Sequence, residues 1–194
     1  YTIPKSILTE PDTKQLYKEL NVKPVTIGPS YGPSDEGSFP VYRENDNKIY
    51  IPRFYGIERY GLPDRSEITK GDDISVHFPK SLRPPQEITV DAYMNHIHNP
   101  ICNNSSDQGS GGIMEVYCGF GKTICALNII SKLQKKTLII VHKEFLLNQW
   151  IDRINEFLPG ATIGKIQGST FDVEGKDIVI GMLQSVSMHK YENN

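Results

Sequence analysis

One short segment, Val116 to Thr123, constrains the fold of this chain more than any other feature. It reads Val-Tyr-Cys-Gly-Phe-Gly-Lys-Thr. It joins an apolar stretch, Ile113 to Tyr117, which predicts a β-strand, to Lys122 to Leu133, which predicts a helix. A glycine-rich turn in that position, followed by Lys-Thr, is typical of a phosphate-binding loop. The alternative interpretation is a glycine-rich turn that merely precedes a lysine.

The residue types in this turn suit a triphosphate and its metal ion. Gly119 and Gly121 can adopt backbone angles that other residues avoid, so successive amide groups can turn toward phosphate oxygens at the positive end of a helix. Lys122 would neutralise the β and γ phosphates, and the hydroxyl of Thr123 would bind Mg²⁺. The general pattern has glycine where this chain has Val116. The predicted ATP-binding residues of the loop are Cys118, Gly119, Phe120, Gly121, Lys122 and Thr123, with Lys122 and Thr123 as catalytic residues and Thr123 as the magnesium ligand.

Predicted strands and helices alternate after this loop. The strands are Thr137 to His142, Thr162 to Ile166 and Asp177 to Met182, and the helix after the first strand carries Leu147, Trp150, Ile151, Ile154 and Leu158 on one face. Alternation of strands and helices with short connections implies a parallel sheet covered by helices. We therefore predict an α/β fold. We assign Trp150 to its core, because a tryptophan in an apolar helical stripe usually packs.

A further helix is predicted before the loop. It begins at Gln86, has Val90, Tyr93, Met94 and Ile97 on its apolar face, and ends at Pro100. Residues 103–112 are polar and rich in glycine, serine and asparagine, which predicts a mobile loop. His96 and His98 lie two residues apart on this helix and face different sides, which argues against a metal site.

Residues 1–80 are rich in proline, glycine and tyrosine. A helix is predicted after Thr9, and a hairpin is predicted from the strands Phe39 to Arg43 and Lys48 to Ile51. We interpret this part as a small β-rich or α+β domain, so the predicted domains are residues 1–80 and 81–194. Its basic and aromatic side chains leave two interpretations open, a nucleic-acid surface and a solvated face with packed tyrosines. These side chains are Arg43, Arg53, Arg59, Arg65 and Lys70 with Tyr42, Tyr50, Tyr55 and Tyr60.

Composition limits the possible partners. The net charge is −2, so any contact with nucleic acid must be local. No stretch is long and apolar enough to cross a bilayer, which predicts no membrane partner. Three cysteines without metal-ligand spacing and the lack of a signal-peptide pattern indicate an intracellular location, cytoplasmic or nuclear.

Five segments, taken in order, resemble the first ATPase lobe of superfamily 2 helicases, a RecA-like lobe. Leu82 to Gln86 resembles the L-R-x-Y-Q segment of those enzymes, with Pro85 in place of the aromatic residue. The Cys-Gly-Phe-Gly-Lys core resembles motif I of the XPB-like branch. Leu138 to Lys143 is similar to motif Ia. Phe145 to Trp150 is similar to the L-x-x-Q-W helix that follows it. Asp177 to Ser185 is similar to the strand ending in motif Ic. The residues of these motifs are most similar to those of helicases of nucleocytoplasmic large DNA viruses, including the poxvirus transcript-release type. That resemblance implies a virion or viral factory as alternative locations.

This resemblance implies an ATP-dependent helicase or translocase that uses ATP and Mg²⁺. It implies that Arg83 and Gln86 bind the nucleotide, with the glutamine reading adenine. It also implies that motifs Ia and Ic touch the backbone of one strand, through His142, Lys143, Gln184 and Ser185. The implied partner is DNA, with RNA or an RNA-DNA hybrid as alternatives, together with transcription machinery. Gln184 and Ser185 could instead simply end a strand.

The acidic residues that ATP hydrolysis requires are not found in this sequence. Hydrolysis needs a carboxylate pair, which the helicases supply as D-E-x-H, and no such run occurs. Asp177 opens its strand and so faces the wrong edge of a parallel sheet, which excludes it as the magnesium ligand. We therefore expect an amino-terminal fragment of a longer helicase, inactive alone, with an incomplete RecA-like lobe. The alternatives are a nucleotide-binding scaffold that does not hydrolyse ATP and a small-molecule P-loop kinase.

Overall fold

The computed structural model describes residues 1–23, 37–98 and 111–188, and the chain divides into two compact units, residues 1–67 and 68–194. Most of the predicted loop 103–112, the predicted helix end at Pro100 and Cys102 lie outside the described residues. Among the described helices, none has the length and apolar character needed to cross a membrane.

Short strands and two helices build the first unit. In chain order its elements are β1 (Thr2–Pro4), a 3-10 turn (Lys5–Ile7), α1 (Glu10–Glu19), β2 (Asn21–Val22), β3 (Phe39–Pro40), β4 (Arg43–Glu44), β5 (Lys48–Tyr50) and α2 (Arg53–Tyr60). Strands β1, β5 and β4 form an antiparallel sheet in that order, and β2 pairs with β3. Its buried core consists of Ile3, Leu16, Leu20, Ile49 and Ile51.

The helix predicted after Thr9 is confirmed as α1. Thr9 accepts a hydrogen bond from the backbone of Asp12, whose carboxylate accepts one from the backbone of Thr9, so this capping box fixes where the helix starts. Leu16 and Leu20 are buried beneath it. The predicted hairpin is confirmed for β4 and β5, but Phe39–Pro40 pairs with Asn21–Val22 instead of extending β4.

Helix α2 was not predicted, since strands were expected to dominate this part of the chain. It contains Gly56, a residue that weakens a helical pattern. Gly56 is buried beneath the ring of Tyr1, and a Cβ at this position would collide with that ring. Glycine is therefore required at this helical position by a tertiary contact that local propensity does not report.

The tyrosines of the first unit pack and bond within the unit. The rings of Tyr17 and Tyr42 stack with centroids 5.1 Å apart, and the Tyr17 hydroxyl donates to Glu44 at 2.7 Å. Tyr55 donates to Glu19, which also accepts from Arg59 at 2.8 Å. These contacts favour the interpretation of a solvated face with packed tyrosines.

A mixed sheet flanked by helices forms the second unit. In chain order its elements are α3 (Pro84–His98), α4 (Lys122–Leu133), β6 (Thr137–Val141), α5 (Glu144–Phe157), β7 (Ile163–Gln167), β8 (Thr170–Asp172), β9 (Ile178–Met182) and α6 (Leu183–Met188). The strand order is β6-β9-β7-β8, and the first three strands are parallel. The predicted parallel sheet is confirmed for those three strands, while β8, which was not predicted, runs antiparallel to β7.

Helices α4 and α5 cover one face of the sheet. Leu127 of α4 and Ile154 of α5 are fully buried with Ile178 and Ile180 of β9 in one apolar cluster. Trp150 packs against this cluster and is partly buried, as predicted. This core fixes the amino-terminal end of α4, where the glycine-rich turn lies, relative to the sheet.

The strand predicted over Ile113 to Tyr117 is wrong for the residues that the structure describes. Alternation of apolar residues is present, and Met114 and Val116 pack toward the cluster beneath α3 and α4. A strand also needs a neighbouring backbone to bond with. No described strand is paired with this segment, and Ile113 is 97% exposed.

An extended strap, residues 71–78, is held against the second unit by backbone and side-chain bonds. Gln134, which adopts a left-handed conformation with φ 52°, accepts from the Val76 amide at 3.1 Å and donates to the Val76 carbonyl at 2.7 Å. Phe78 stacks on Phe157 with centroids 5.7 Å apart. The strap leads directly into the segment that carries Arg83 and Gln86.

Candidate functional site

The glycine-rich turn has the backbone conformation that the sequence predicts. Gly119 has φ 82° and Gly121 has φ 98°, both in the range that L side chains rarely adopt. Gly121 is the N-cap of α4, and no side chain caps this helix end. The amide groups at the start of α4 therefore remain without a capping side chain, and the positive end of the helix lies at the turn.

Phe120 anchors the turn to the body of the unit. Its side chain is 5% exposed and packs in a cluster with Val90, Cys125 and Ile129. Burial raises the pKa of the Cys125 thiol, so this side chain stays protonated and serves as a packing group. Cys118, in contrast, is a free and exposed cysteine in the turn itself. The Phe120 side chain thus anchors the turn in the core, whereas Cys118 lies at its surface.

Lys122 and Thr123 lie where the turn enters α4. The Lys122 ammonium donates to the carbonyls of Val116 at 3.0 Å and Tyr117 at 2.9 Å, so it spans the turn. Thr123 is partly buried, and its hydroxyl bonds to no side chain or backbone group within residues 1–23, 37–98 and 111–188. A cation and a hydroxyl are therefore placed together at the amino-terminal end of a helix.

Two side chains from the start of α3 hold the turn from the other side. Gln86, which is 3% exposed, donates from Nε2 to the Phe120 carbonyl at 2.8 Å. The Arg83 guanidinium donates to the same carbonyl oxygen. Arg83 and Gln86, which the resemblance predicts to bind nucleotide, thus lie at the glycine-rich turn. In sequence they precede Phe120 of that turn by 37 and 34 residues.

This double contact orients one peptide group of the turn. The carbonyl of Phe120 points toward α3, and the N–H of a trans peptide points opposite to its carbonyl. The Gly121 N–H therefore points away from Gln86 and Arg83. A Cβ at Gly121 would collide with Nε2 of Gln86, so glycine is required here by both the φ angle and the approach of Gln86.

The arrangement is suited to an anion. Lys122 and Arg83 bring two positive charges to the turn, and the helix end adds a partial positive charge. Backbone amides without a capping side chain at the start of a helix, next to a lysine and a hydroxyl, suit the phosphates of a nucleotide and the metal ion that accompanies them.

The four residues predicted to contact nucleic acid lie at one edge of the sheet. His142 and Lys143 directly follow β6, and Gln184 and Ser185 lie just after β9. These strands are parallel neighbours with Val141 opposite Met182, so both pairs follow the carboxyl ends of adjacent strands.

The four side chains differ in their contacts. His142 and Lys143 are exposed, and neither side chain bonds to any residue in the described part of the chain. Gln184 is also exposed, whereas the Ser185 hydroxyl accepts from the Gly168 amide at 2.8 Å. Ser185 thus ties the turn after β7 to the same edge, which supplies a role that the sequence did not indicate.

Asp177 lies at the opposite edge, as predicted. It precedes β9, and its carboxylate accepts from the backbone and the hydroxyl of Thr162, both at 2.8 Å. Its role is to join the starts of two strands. Among the described residues no group of three or more histidine, cysteine or acidic side chains is placed to hold a metal ion.

Comparison with known proteins agrees with the fold. A family model described as "Type III restriction enzyme, res subunit" matches residues 79–194. A mimivirus protein from Acanthamoeba polyphaga mimivirus, named "putative ATP-dependent RNA helicase", is 31% identical over 100% of this chain and 36% of its own length. A "putative helicase" of Invertebrate iridescent virus 3 is 30% identical over 77% of this chain and 45% of its own length.

A cellular protein is similar as well. A "putative DNA 3'-5' helicase Rad25" of Halobacterium salinarum is 24% identical over 69% of this chain and 20% of its own length. The chain spans less than half the length of each of these relatives. The similarity to XPB-like helicases of large DNA viruses that the motifs predicted is confirmed by the matching family and by these relatives. The chain belongs to the family described as the res subunit of type III restriction enzymes, a RecA-like helicase domain, and its relatives include helicases of large DNA viruses.

Proposed function

We propose that this chain is part of an ATP-dependent superfamily 2 helicase or translocase, and that residues 81–194 supply its phosphate-binding loop and its first strand-contacting motifs. The observation that carries the proposal is the turn itself. Two glycines with positive φ precede Lys122 and Thr123 at the start of a helix. This combination binds the phosphates of a nucleoside triphosphate in P-loop proteins.

In this proposal each residue of the turn has a stated role. The amides of Gly119 to Thr123 bind phosphate oxygens, and Lys122 leaves the carbonyls of Val116 and Tyr117 to neutralise the β and γ phosphates. The Thr123 hydroxyl would hold Mg²⁺, which would supply positive charge to the phosphoryl group. Cys118 and Phe120 contribute their backbone groups, and Phe120 also holds the loop in place.

The strand-contact surface is proposed on chemical grounds. His142, Lys143 and Gln184 present exposed polar groups at the carboxyl ends of β6 and β9, the edge at which ligands bind in parallel sheets. Contacts from such groups to a sugar-phosphate backbone position a strand without reading its sequence. One relative is named for RNA and another for DNA, so both polymers are candidate partners. We further propose an intracellular site of action and an accessory role for residues 1–80.

The test is ATP turnover by the complete protein. Lys122→Ala should abolish ATP hydrolysis, with and without added DNA or RNA, while the circular dichroism spectrum stays that of the parent protein. Lys132→Ala is a matched control, because Lys132 lies at the other end of α4 and pairs with Asp91 at 2.9 Å. Undiminished turnover in Lys122→Ala would refute the assignment of the loop. ATP binding without turnover in the parent protein would favour the alternative of a nucleotide-binding scaffold.

A further inference from the structure

The side-chain amide of Gln86 is bonded to the protein at both of its ends. Its Oε1 accepts from the Arg83 amide at 3.0 Å, and its Nε2 donates to the Phe120 carbonyl at 2.8 Å. The side chain is 3% exposed, so it lies beneath the surface and not on the wall of an open cleft. Its two partners are the segment that precedes α3 and the phosphate-binding turn.

Reading an adenine base would require different contacts. A glutamine recognises adenine by accepting from N6 and donating to N7, which uses both ends of the amide at once. In this chain both ends already have backbone partners. Turning Gln86 toward a base would break both bonds. The Arg83 amide would lose its partner, and the Phe120 carbonyl would keep only the bond from the Arg83 guanidinium.

The neighbouring residue offers no substitute for base recognition. Pro85 stands where the resemblance places an aromatic residue, and it is exposed in the first turn of α3. A proline has no aromatic ring on which a base could stack in the way that bases stack on aromatic side chains. Neither stacking nor edge recognition is therefore provided by Pro85 and Gln86.

The contacts of Gln86 serve the phosphates instead. By holding the Phe120 carbonyl toward α3, Gln86 turns the Gly121 N–H in the opposite direction, and Arg83 supports the same carbonyl. Phosphates are common to all nucleoside triphosphates, whereas the base is not.

We propose that Gln86 is a positioning residue of the phosphate-binding turn and that the site accepts ribonucleoside triphosphates with little discrimination between bases. The inference rests on the proposed function, because it concerns what binds at the same turn. The substrate class is therefore ATP, GTP, CTP and UTP, each with Mg²⁺, and not ATP alone.

The first experiment compares the four nucleotides on the 194-residue chain. Dissociation constants for the magnesium complexes of ATP, GTP, CTP and UTP should lie within about fivefold of one another. An amide that reads adenine would instead favour ATP by about 10- to 100-fold. An ATP preference of more than fivefold over all three other nucleotides would overturn the inference while leaving the proposed nucleotide site intact.

The second experiment tests the role of Gln86 directly. Gln86→Met keeps most of the side-chain volume and removes both hydrogen bonds, so it should weaken all four nucleotides by the same factor, about tenfold. A loss confined to ATP would show that Gln86 reads the base and would overturn the inference. Gln134→Met is a matched control, since Gln134 also bonds to backbone at both ends of its amide, at Val76, and its loss should leave all four affinities unchanged.

Binding of magnesium tripolyphosphate separates failure of the proposed function from failure of this inference. If none of the four nucleotides binds and magnesium tripolyphosphate does not bind either, the proposed function itself is refuted, and this inference falls with it. If tripolyphosphate and all four nucleotides bind with similar affinity, both are supported.

Discussion

Alanine at Gly121 should destabilise the second unit more than alanine at Gly119, although both positions lie in the same turn. Both glycines have positive φ, 82° at Gly119 and 98° at Gly121, and placing an L side chain in the left-handed region costs about 1–2 kcal/mol. A Cβ at Gly119 would meet nothing within 4 Å, whereas one at Gly121 would collide with Nε2 of Gln86.

The size of the difference follows from what Gln86 must give up. To make room for the Cβ, its amide must leave the Phe120 carbonyl, and losing a hydrogen bond to a buried group costs about 1–3 kcal/mol. Gly119→Ala should therefore destabilise the unit by about 1–2 kcal/mol and Gly121→Ala by about 2–5 kcal/mol.

Urea unfolding followed by tryptophan fluorescence measures this difference. Trp150 is the single tryptophan of the chain and packs against the core of the second unit, so its emission reports on that unit. In a Gln86→Ala background the amide is absent, and Gly121→Ala should then cost no more than Gly119→Ala. Equal destabilisation by the two glycine variants in the parent chain would refute the reasoning.

Three further predictions concern charged and titrating side chains. A hydrogen bond from Lys80 lowers the pKa of the Glu156 carboxyl. The ionised carboxylate therefore stabilises the fold above the ordinary pKa of 4.5, and this stabilisation is lost as the pH falls below 4.5. Glu156→Gln should flatten the acid side of a plot of urea midpoint against pH, and an unchanged slope would contradict this. A hydrogen bond to Glu44 raises the pKa of Tyr17 from 10.0 to about 12. The protonated Tyr17 hydroxyl therefore stabilises the fold fully below pH 10, and this stabilisation is lost as the pH rises toward 12. Tyr17→Phe should remove that part of the alkaline destabilisation, followed by circular dichroism, and an identical alkaline profile would be evidence against it. Lys143→Ala should weaken binding of DNA or RNA and reduce the slope of log affinity against log salt by about one, and an unaltered slope would exclude Lys143 from phosphate contact.

Local periodicity was enough to predict most elements of the second unit. The helix over Lys122 to Leu133 has the predicted bounds, and β6, β7 and β9 fall within one residue of them at each end. The apolar pattern of each of these elements lies within one short stretch of sequence. The pattern that predicts the element is therefore the same pattern that buries its apolar side chains.

Elements that depend on distant partners could not be predicted in this way. Ile113 to Tyr117 has the pattern of a strand but no bonded neighbour among the described residues. Helix α2 contains Gly56, which lowers helical propensity, and the reason for this glycine is the packing of Tyr1 over it.

The candidate site likewise has features that local sequence predicts and features that depend on distant residues. The positive φ angles at Gly119 and Gly121 were foreseen from the glycines alone. The bonds of Gln86 and Arg83 to the Phe120 carbonyl join residues far apart in sequence, and the motif resemblance pointed to the two side chains but not to this contact. The binding roles assigned to these residues stay predictions until the experiments above are done.

The strap over residues 71–78 has a mechanical consequence. Gln134 bonds to both backbone groups of Val76, at 3.1 and 2.7 Å, and so acts as a one-residue substitute for a neighbouring strand. Any pull that reaches the strap from the amino-terminal side is borne first by the bonds of Asp72, Asp73 and Ile74 to residues 134–136 and then by those of Val76, before it reaches Arg83. The strap therefore shields the phosphate-binding turn from a force applied on its amino-terminal side. Loading the chain from its amino-terminal end should break the Gln134 bonds before it displaces Gln86.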